Sequence, residues 1–389
     1  MRLWRYCIAA FIYDWFVFVY WTAVPVRAEG LGASSTQLAL LQAASTIPYV
    51  LNSLFIGTLA DRWSKSLLAR LGCVVAAAAC VVTARAPSLA LLFMGAPLLG
   101  IGASIFWPPI QGGIGAEGDP ARMERALGVF NVMWSLGKAV GFATAGALLG
   151  GLGHAWVLWI AAVSAIAVIP LYPADLPRSR PATSPADHED RSVFRTLAYI
   201  ANFAAFGIGA TLQNQIVKFL TQRVPMTFCR LETFLGLFLG TVFLAQTAAF
   251  AVLQRGSRWT YRRSLLYGAQ ALAAASLVAA TLLRDPLLLL AVAPLVGVGI
   301  GFTYASSIYY SLHGPSDHGR FAGIHEAVLG SGSFLIPLAG GALADLSRDL
   351  RSPYWLAAGL AAVAIAAQEA VYRRASWTRS RLLRAAPQR

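Results

Sequence analysis

Long apolar runs, each about as long as a lipid bilayer is thick, constrain this chain more than any other feature. A membrane-spanning helix needs about 20 predominantly apolar residues, and about twelve such runs follow one another here. Their approximate limits are 7–26, 37–60, 67–85, 88–110, 126–150, 154–172, 196–219, 231–253, 264–283, 286–311, 321–344 and 353–372. This pattern predicts an all-α integral membrane protein.

Composition excludes the soluble classes of protein. Hydrophobic residues make up 57% of the chain and charged residues 12%, whereas soluble domains are about 45–50% apolar and about 25% charged. The cysteines show neither a CxxC pair nor metal-ligand spacing, so we expect them to be small core residues. We therefore expect a lipid-embedded chain with no cofactor and no bound metal.

Basic residues lie in short clusters between the apolar runs, and the formal net charge is +14. If consecutive runs cross the membrane in alternate directions, most of these clusters share one face with both termini. Cytoplasmic loops carry such an excess of Lys and Arg. We therefore expect a multi-pass protein of the inner (cytoplasmic) membrane with both termini cytoplasmic, and no nucleic-acid partner, because the clusters suit anionic lipid headgroups.

The chain repeats itself in two halves. RALGVFNVMWSLGKAVGFATAGAL, from Arg125, aligns without gaps to RFAGIHEAVLGSGSFLIPLAGGAL, from Arg320, and PLLGIG is matched by PLVGVG. The segment between the halves is rich in Pro, Ser and charge, which is typical of an exposed linker. We predict twelve transmembrane helices in two pseudo-symmetric six-helix bundles, with a half at 1–172, a cytoplasmic linker at 173–195, a half at 196–372 and a basic cytoplasmic tail at 373–389.

Between the second and third runs the sequence reads Gly57-Thr-Leu59-Ala-Asp61-Arg62-Trp-Ser-Lys65. This segment resembles the signature of the major facilitator superfamily, G-x-L-a-D-r-x-G-r-k, in the loop where that family carries it. The resemblance implies a transporter whose halves rock around a central substrate site, with Gly57, Asp61, Arg62 and Lys65 as a conformational latch. Gly57 permits close helix approach, and Asp61 can accept hydrogen bonds from the N-terminus of a neighbouring helix.

The sequence departs from the family's patterns in three places. The corresponding loop of the second half, 253–264, lacks the aspartate, so the predicted latch is asymmetric. Ala96 stands where proton-driven exporters often carry an arginine, and residues 137–146 lack the proline and one glycine of the antiporter signature. Proton coupling through that arginine is therefore not expected, whereas export by antiport stays open.

Two ionisable residues lie deep inside apolar runs, where a charge is expensive to insert and indicates function. Asp14 lies among aromatic residues of the first run and could carry a proton, bind a cationic substrate or form a structural ion pair. Lys138 lies about 20 Å into the fifth run. It could bind an anionic substrate or take part in coupling, or it could pair with Asp14, since their depths differ by roughly 8 Å.

Further polar and aromatic residues at similar depths complete the candidate substrate and proton site. A His-Glu pair begins the eleventh run and could relay protons or form gating contacts. The other residues of this set would mark a polar path or form a cavity wall, or would simply pack between helices. These candidates are Asn131, His325, Glu326, Gln213, Trp107 and Tyr304.

The leading hypothesis is a monomeric secondary active transporter that exports a small amphipathic or cationic compound in exchange for protons. One alternative is an organic-anion transporter that uses Lys138, with Arg27 at the outer mouth. Another is a non-transporting sensor or lipid-handling protein on the same fold. Residues 113–118 fit GxGxxG but lack a βαβ context, so we expect neither a nucleotide site nor an enzyme.

Overall fold

The structure is a computed structural model, and it describes residues 3–115, 120–172, 189–226, 229–256, 258–312 and 318–385. Across these residues the chain forms long helices joined by short connections. The helices are α1 (Leu3–Gly30), α2 (Ser35–Arg62), α3 (Lys65–Ala84), α4 (Leu89–Gly115), α5 (Pro120–Leu152), α6 (His154–Ala167), α7 (Glu189–Arg223), α8 (Leu231–Leu253), α9 (Arg263–Leu282), α10 (Pro286–Leu312), α11 (His318–Ser347) and α12 (Ser352–Ala385).

Twelve helical stretches in the described residues are long and apolar enough to cross a membrane, which confirms the predicted fold class. Polar groups at the connections mark the ends of these helices. The Ser64 side chain accepts a hydrogen bond from the Leu67 amide at the start of α3, and the Asp285 carboxylate accepts from the amides of Leu287 and Leu288 at the start of α10. Gly153, at φ +76°, allows the sharp break between α5 and α6.

Helices α7 and α12 extend beyond the spans marked in the sequence. α7 begins at Glu189, within the segment assigned to the linker, and residues 173–188 of that segment lie outside the described residues. α12 continues to Ala385, so the described part of the basic C-terminal segment is helical.

Helices α1–α6 form one half of the bundle and α7–α12 form the other. The halves meet mainly where α2 packs on α11 and α5 packs on α8. Glycines allow the closest approach, because a Cβ placed on Gly146 of α5 would lie 2.9 Å from the Gly236 Cα of α8. Elsewhere between the halves, side chains from both of them line a central cavity.

Both termini lie at one end of the bundle, because twelve helices alternate in direction. We call this the terminal end. Here Tyr6 of α1 packs on Tyr172, and Phe194 of α7 packs on Tyr372 of α12. The opposite end, where α1 ends and α2 begins, is called the far end.

Candidate functional site

A cavity of about 170 Å³ lies between the two halves. An apolar cavity of roughly 150 Å³ holds a benzene molecule, so the space fits a small organic molecule. Its wall is formed by Val17, Phe18, Trp21, Gln42, Ser45, Thr46, Tyr49, Leu99, Gly100, Ala103, Lys138, Phe206, Gly209, Ala210, Gln213, Phe243, Ile300, Leu329, Gly330 and Ser333. Both halves therefore contribute to the wall.

Lys138 is the only charged side chain among the described residues that line this cavity. Its ammonium lies 3.7 Å from the centroid of the Phe243 ring and 4.3 Å from the centroid of the Phe18 ring. Phe18 belongs to the same half as Lys138, whereas Phe243 belongs to the other half. The negative faces of aromatic rings attract a cation, so the ammonium is held between the halves.

Two glycines of α5 place Lys138 at the cavity. A Cβ on Gly141 would lie 2.6 Å from the Trp15 carbonyl oxygen, and a Cβ on Gly137 would lie 2.9 Å from the Phe11 Cα. Without side chains at these positions, the backbone of α5 packs directly on α1. Lys138 directly follows Gly137, so its side chain leaves α5 beside this contact and points towards the space between the halves.

Asp14 is buried in α1, with 5% of its surface exposed, next to the cavity but not in its wall. It interacts electrostatically with Lys138 and with Glu326. In the part of the chain that the structure describes, no ion pair within 4.0 Å joins Asp14 to Lys138. The two charges therefore act on one another without direct contact between the carboxylate and the ammonium.

Glu326 links the two halves on the terminal side of the cavity. Tyr49 Oη of α2 donates a hydrogen bond of 2.7 Å to one carboxylate oxygen, and Gln111 Nε2 of α4 donates one of 2.9 Å to the other. Both donors belong to the first half, whereas Glu326 belongs to α11. The two bonds therefore join the halves on this side of the cavity.

His325 and Tyr304 lie together within the second half. Nδ1 of His325 is hydrogen-bonded to Ser307 Oγ at 2.8 Å, and its ring packs edge-on to Tyr304 with centroids 5.0 Å apart. His325 is fully buried, and its Nε2 has no partner among the described residues. Tyr304 in turn contacts Phe206, whose ring lines the cavity.

The architecture and the central cavity agree with a comparison to known proteins. Residues 6–314 match the model of the Major Facilitator Superfamily. The chain belongs to the Major Facilitator Superfamily. Among its relatives are uncharacterised MFS-type transporters from two strains of Mycobacterium tuberculosis, each 26% identical over 335 residues, which cover 80% of this chain and 78% of the relative.

Solved structures of this superfamily share the fold. A mutant of the nucleoside transporter NupG superposes with a TM-score of 0.72 at 14% identity, covering 95% of this chain and 99% of that chain. The human organic anion transporter MFSD10 (TETRAN) superposes with a TM-score of 0.66 at 14% identity, covering 95% and 100%. Superfamily membership confirms a multi-pass membrane transporter and not an enzyme.

Within this superfamily fold, two candidates from the sequence lie away from the cavity wall in ordinary packing positions. Asn131 Oδ1 accepts a hydrogen bond of 3.0 Å from Trp134 Nε1, one turn along the same helix. Trp107 packs edge-on to Tyr13 and to Phe130. Lys138 and Gln213 are the predicted candidates that line the cavity itself.

The superfamily signature lies at the terminal end. Gly57, Asp61 and Arg62 belong to the last turns of α2, and their side chains lie outside the described residues. Lys65 begins α3 and is buried, with 7% of its surface exposed. The latch role of these four residues stays a prediction.

Several residues in or beside the cavity wall were not among the sequence candidates. Phe243, Tyr49 and Gln111 carry contacts to Lys138 or Glu326. Phe243 has no signal in the sequence, because an aromatic residue in an apolar run is usually a packing residue. Tyr49 had a partial signal, since it lies on the same face of α2 as Gln42 and Ser45, which are polar residues in an apolar run.

Proposed function

We propose that this transporter moves a small organic anion through the central cavity by alternating access, with Lys138 as the group that binds the anion. The observation that carries the proposal is the position of Lys138. It is the one charged side chain among the described residues that line the cavity, and the aromatic rings of Phe18 and Phe243 lie against its ammonium.

A buried charge is stable only when another group compensates for its lost hydration. The two rings supply part of that compensation, roughly 0.5–2 kcal/mol for a cation–π contact. Asp14 acts on the ammonium electrostatically but forms no ion pair with it among the described residues, so an anionic ligand in the cavity would add a charge-assisted hydrogen bond. A ligand with a negative group beside Lys138 would therefore suit this site.

The rest of the wall describes the body of that ligand. Apolar side chains from both halves, Val17, Leu99, Phe206 and Ile300 among them, face polar groups such as Gln42 and Gln213. A compact monoanion with an aromatic or aliphatic body would match this mixture. Such a ligand would contact both halves at once, which alternating access requires.

Asp14 supports a role for protons in this proposal. Its charge acts on Lys138 from behind the cavity wall, so an ionised Asp14 and an anionic substrate would compete for the same ammonium. Protonation of Asp14 would strengthen substrate binding, and deprotonation would weaken it. We propose that this competition couples anion movement to proton movement, and that the terminal end faces the cytoplasm of the inner membrane.

Export of a cationic compound, the leading hypothesis from the sequence, is the alternative function. Two carboxylates, Asp14 and Glu326, lie next to the cavity and interact electrostatically. They could bind a cation if the cavity extended to them in another state of the cycle. A non-transporting sensor would bind a ligand without carrying it across sealed vesicles.

A thermal-shift measurement with matched ligands tests the proposal. Benzoate is a small aromatic monoanion, benzamide is its neutral counterpart, and tetraphenylphosphonium is a lipophilic cation. A ligand that binds only the folded state raises the unfolding temperature. We expect benzoate alone to stabilise the protein, with the effect kept in Lys138→Arg and lost in Lys138→Met. Stabilisation by tetraphenylphosphonium that is lost in Asp14→Asn would instead support the cationic alternative.

A further inference from the structure

Asp345, in the last turn of α11, binds the N-terminus of a helix in the opposite half. Its Oδ1 accepts a hydrogen bond of 3.0 Å from the Ser35 amide, and its Oδ2 accepts one of 2.8 Å from the Thr36 amide. These amides belong to the first two residues of α2. The contact therefore joins the two halves at the far end.

The first turn of α2 depends on this contact. The first amides of a helix have no partner within the helix, and they carry a partial positive charge. Ser34 and Gln37 satisfy two of the local amides as a capping box: Gln37 Oε1 accepts from the Ser34 amide, and Ser34 Oγ accepts from the Gln37 amide. The two amides between them, at Ser35 and Thr36, are left for Asp345.

Other contacts at the far end close around the same turn. From α7, Gln215 Nε2 donates to the Ser35 carbonyl at 3.0 Å, and Lys218 Nζ donates to the Ala33 carbonyl at 2.6 Å. A Cβ on Gly341 would lie 2.9 Å from the Ser35 carbonyl carbon, so α11 and α2 are in close backbone contact. The start of α2 is thus held by the second half from two sides.

The other pair of helices that joins the halves, α5 and α8, is linked at the far end by a side chain of the opposite charge. At the start of α8, Arg230 donates a hydrogen bond to the Gly150 carbonyl near the end of α5. A cation there binds the negative end of a helix, whereas Asp345 binds the positive end of another. At the far end, each of the two helix pairs that join the halves therefore has a charged side chain bound to a helix terminus.

The sequence around Asp345 repeats the beginning of the superfamily signature. Residues 341–345 read G-A-L-A-D and residues 57–61 read G-T-L-A-D, so four of the five positions are identical. The two segments end α11 and α2, which are antiparallel neighbours. Thr36 contacts Asp345, and Val50 contacts Gly330. Continued along the two antiparallel helices, this register places the end of α2 beside the start of α11.

We propose that Asp345 is a second latch of the transport cycle, which holds the far end closed. Asp345 is engaged when the far end is closed and must release the Ser35 and Thr36 amides when that end opens. Asp61 lies in the last turn of α2, at the other end of the same antiparallel helix pair, where the superfamily signature predicts the first latch. This inference rests on superfamily membership and is independent of the substrate proposed for the cavity.

Spin-label distance measurements at both ends test the latch. The background is the full chain with Cys7, Cys73, Cys80 and Cys229 replaced by alanine. One labelled pair, Leu152→Cys with Leu346→Cys, spans the halves at the far end through two exposed positions. A second pair, Leu67→Cys with Val252→Cys, spans them at the terminal end, again at exposed positions.

We expect Asp345→Asn to raise the open-to-closed ratio at the far end about tenfold, since two charge-assisted hydrogen bonds are weakened. Distances at the terminal end should shorten in the same sample. Asp345→Glu, which keeps the carboxylate, should restore part of the closed population. Asp61→Asn should produce the opposite pattern, with longer distances at the terminal end.

Asp285→Asn is the matched control, because Asp285 caps α10 within its own half through the amides of Leu287 and Leu288. This variant should lower the unfolding temperature without moving either distance distribution. The proposal is overturned if folded Asp345→Asn gives the wild-type distributions, or if Asp285→Asn shifts them as much. It is also overturned if Asp345→Asn and Asp61→Asn move the far-end distance in the same direction.

Discussion

The ammonium of Lys138 lies 3.7 Å from the ring centroid of Phe243, and the two residues belong to different halves of the transporter. Rocking the halves apart must separate them. We therefore propose that the cation exchanges a ring for another partner once in every transport cycle. This exchange connects ligand binding in the cavity to the movement of the halves.

Removal of the Lys138 charge should weaken ligand binding without lowering the stability of the protein. Burying a charge without a direct ion-pair partner is costly, so we expect Lys138→Met to unfold at the wild-type temperature or higher. Its binding of benzoate should fall by at least tenfold. Calorimetric binding and thermal unfolding of the same preparation measure both effects. A large loss of stability in this variant would contradict a ligand-binding role for the charge.

Phe243→Leu should weaken the contact between Lys138 and the second half while keeping an apolar cavity wall. The loss of one cation–π contact, about 0.5–2 kcal/mol, should favour states in which the halves are apart. Benzoate affinity is expected to change less than in Lys138→Met. Phe18→Leu is the matched variant, since Phe18 lies in the same half as Lys138 and should not alter the conformational equilibrium. Equal shifts in inter-half distance from both variants would argue against this account.

Glu326→Gln should weaken closure of the terminal end. The carboxylate accepts hydrogen bonds from Tyr49 and Gln111, and a glutamine side chain has one acceptor oxygen in place of two. Hydrogen bonds to a charged group contribute about 1.5–3 kcal/mol. We expect longer distances between labels at Leu67 and Val252 in Glu326→Gln, and a smaller effect in Tyr49→Phe, which removes one donor. No change in either variant would exclude a gating role for Glu326.

Close packing of α5 on α8 should be needed for transport. A Cβ on Gly236 would lie 2.6 Å from the Phe142 carbonyl oxygen, whereas a Cβ on Gly359 of α12 would meet nothing within 4 Å. Gly236→Ala should therefore slow transport by holding the halves apart, and Gly359→Ala should leave it unchanged. Initial rates in proteoliposomes, corrected for the amount of inserted protein, compare the two. Similar rates for both variants would contradict the tight contact.

A surface ion pair in the loop between α11 and α12 should give a small acid-dependent stability. Hydrogen bonds from Arg351, at 2.9–3.1 Å, hold the pKa of Asp349 below its ordinary value. The stabilisation is present at neutral pH, where the carboxyl is ionised in both folded and unfolded states, and it is lost as pH falls through the lowered pKa. At most about 1 kcal/mol is expected for an exposed pair. Asp349→Asn should thus unfold slightly below wild type at pH 7, and the difference should vanish in strong acid.

Hydropathy was sufficient to predict the twelve helices, because each run had to satisfy its backbone hydrogen bonds inside the lipid. The depth of Lys138 in its run predicted a buried cation, and the structure places it in the cavity wall. Its ring partner Phe243 could not be predicted, since the rotation of α5 and α8 about their axes is set by glycine contacts between distant parts of the chain. Asp14, predicted to carry a proton, bind a cationic substrate or form a structural ion pair, is not among the residues that line the cavity, and its role stays a prediction.

The sequence contains a signal for the far-end contacts. The five residues that end at Asp345 repeat those that end at Asp61, but the meaning of the repeat depends on which helix starts beside each aspartate. Only the antiparallel packing of α2 on α11 supplies that information. Asn131 had a signal in the sequence, because it is a polar residue at a suitable depth. In the structure its side chain accepts a hydrogen bond from Trp134 of the same helix.

Counterflow in proteoliposomes tests the central role of Lys138 most directly. Vesicles loaded with unlabelled benzoate are diluted into labelled benzoate, and entry of label is followed for wild type, Lys138→Arg and Lys138→Met. We expect transient accumulation in the first two proteins and none in the third, with no accumulation of labelled tetraphenylphosphonium in any of them. Accumulation of the cation by wild type and Lys138→Met, but not by Asp14→Asn, would contradict anion transport and assign the substrate site to Asp14.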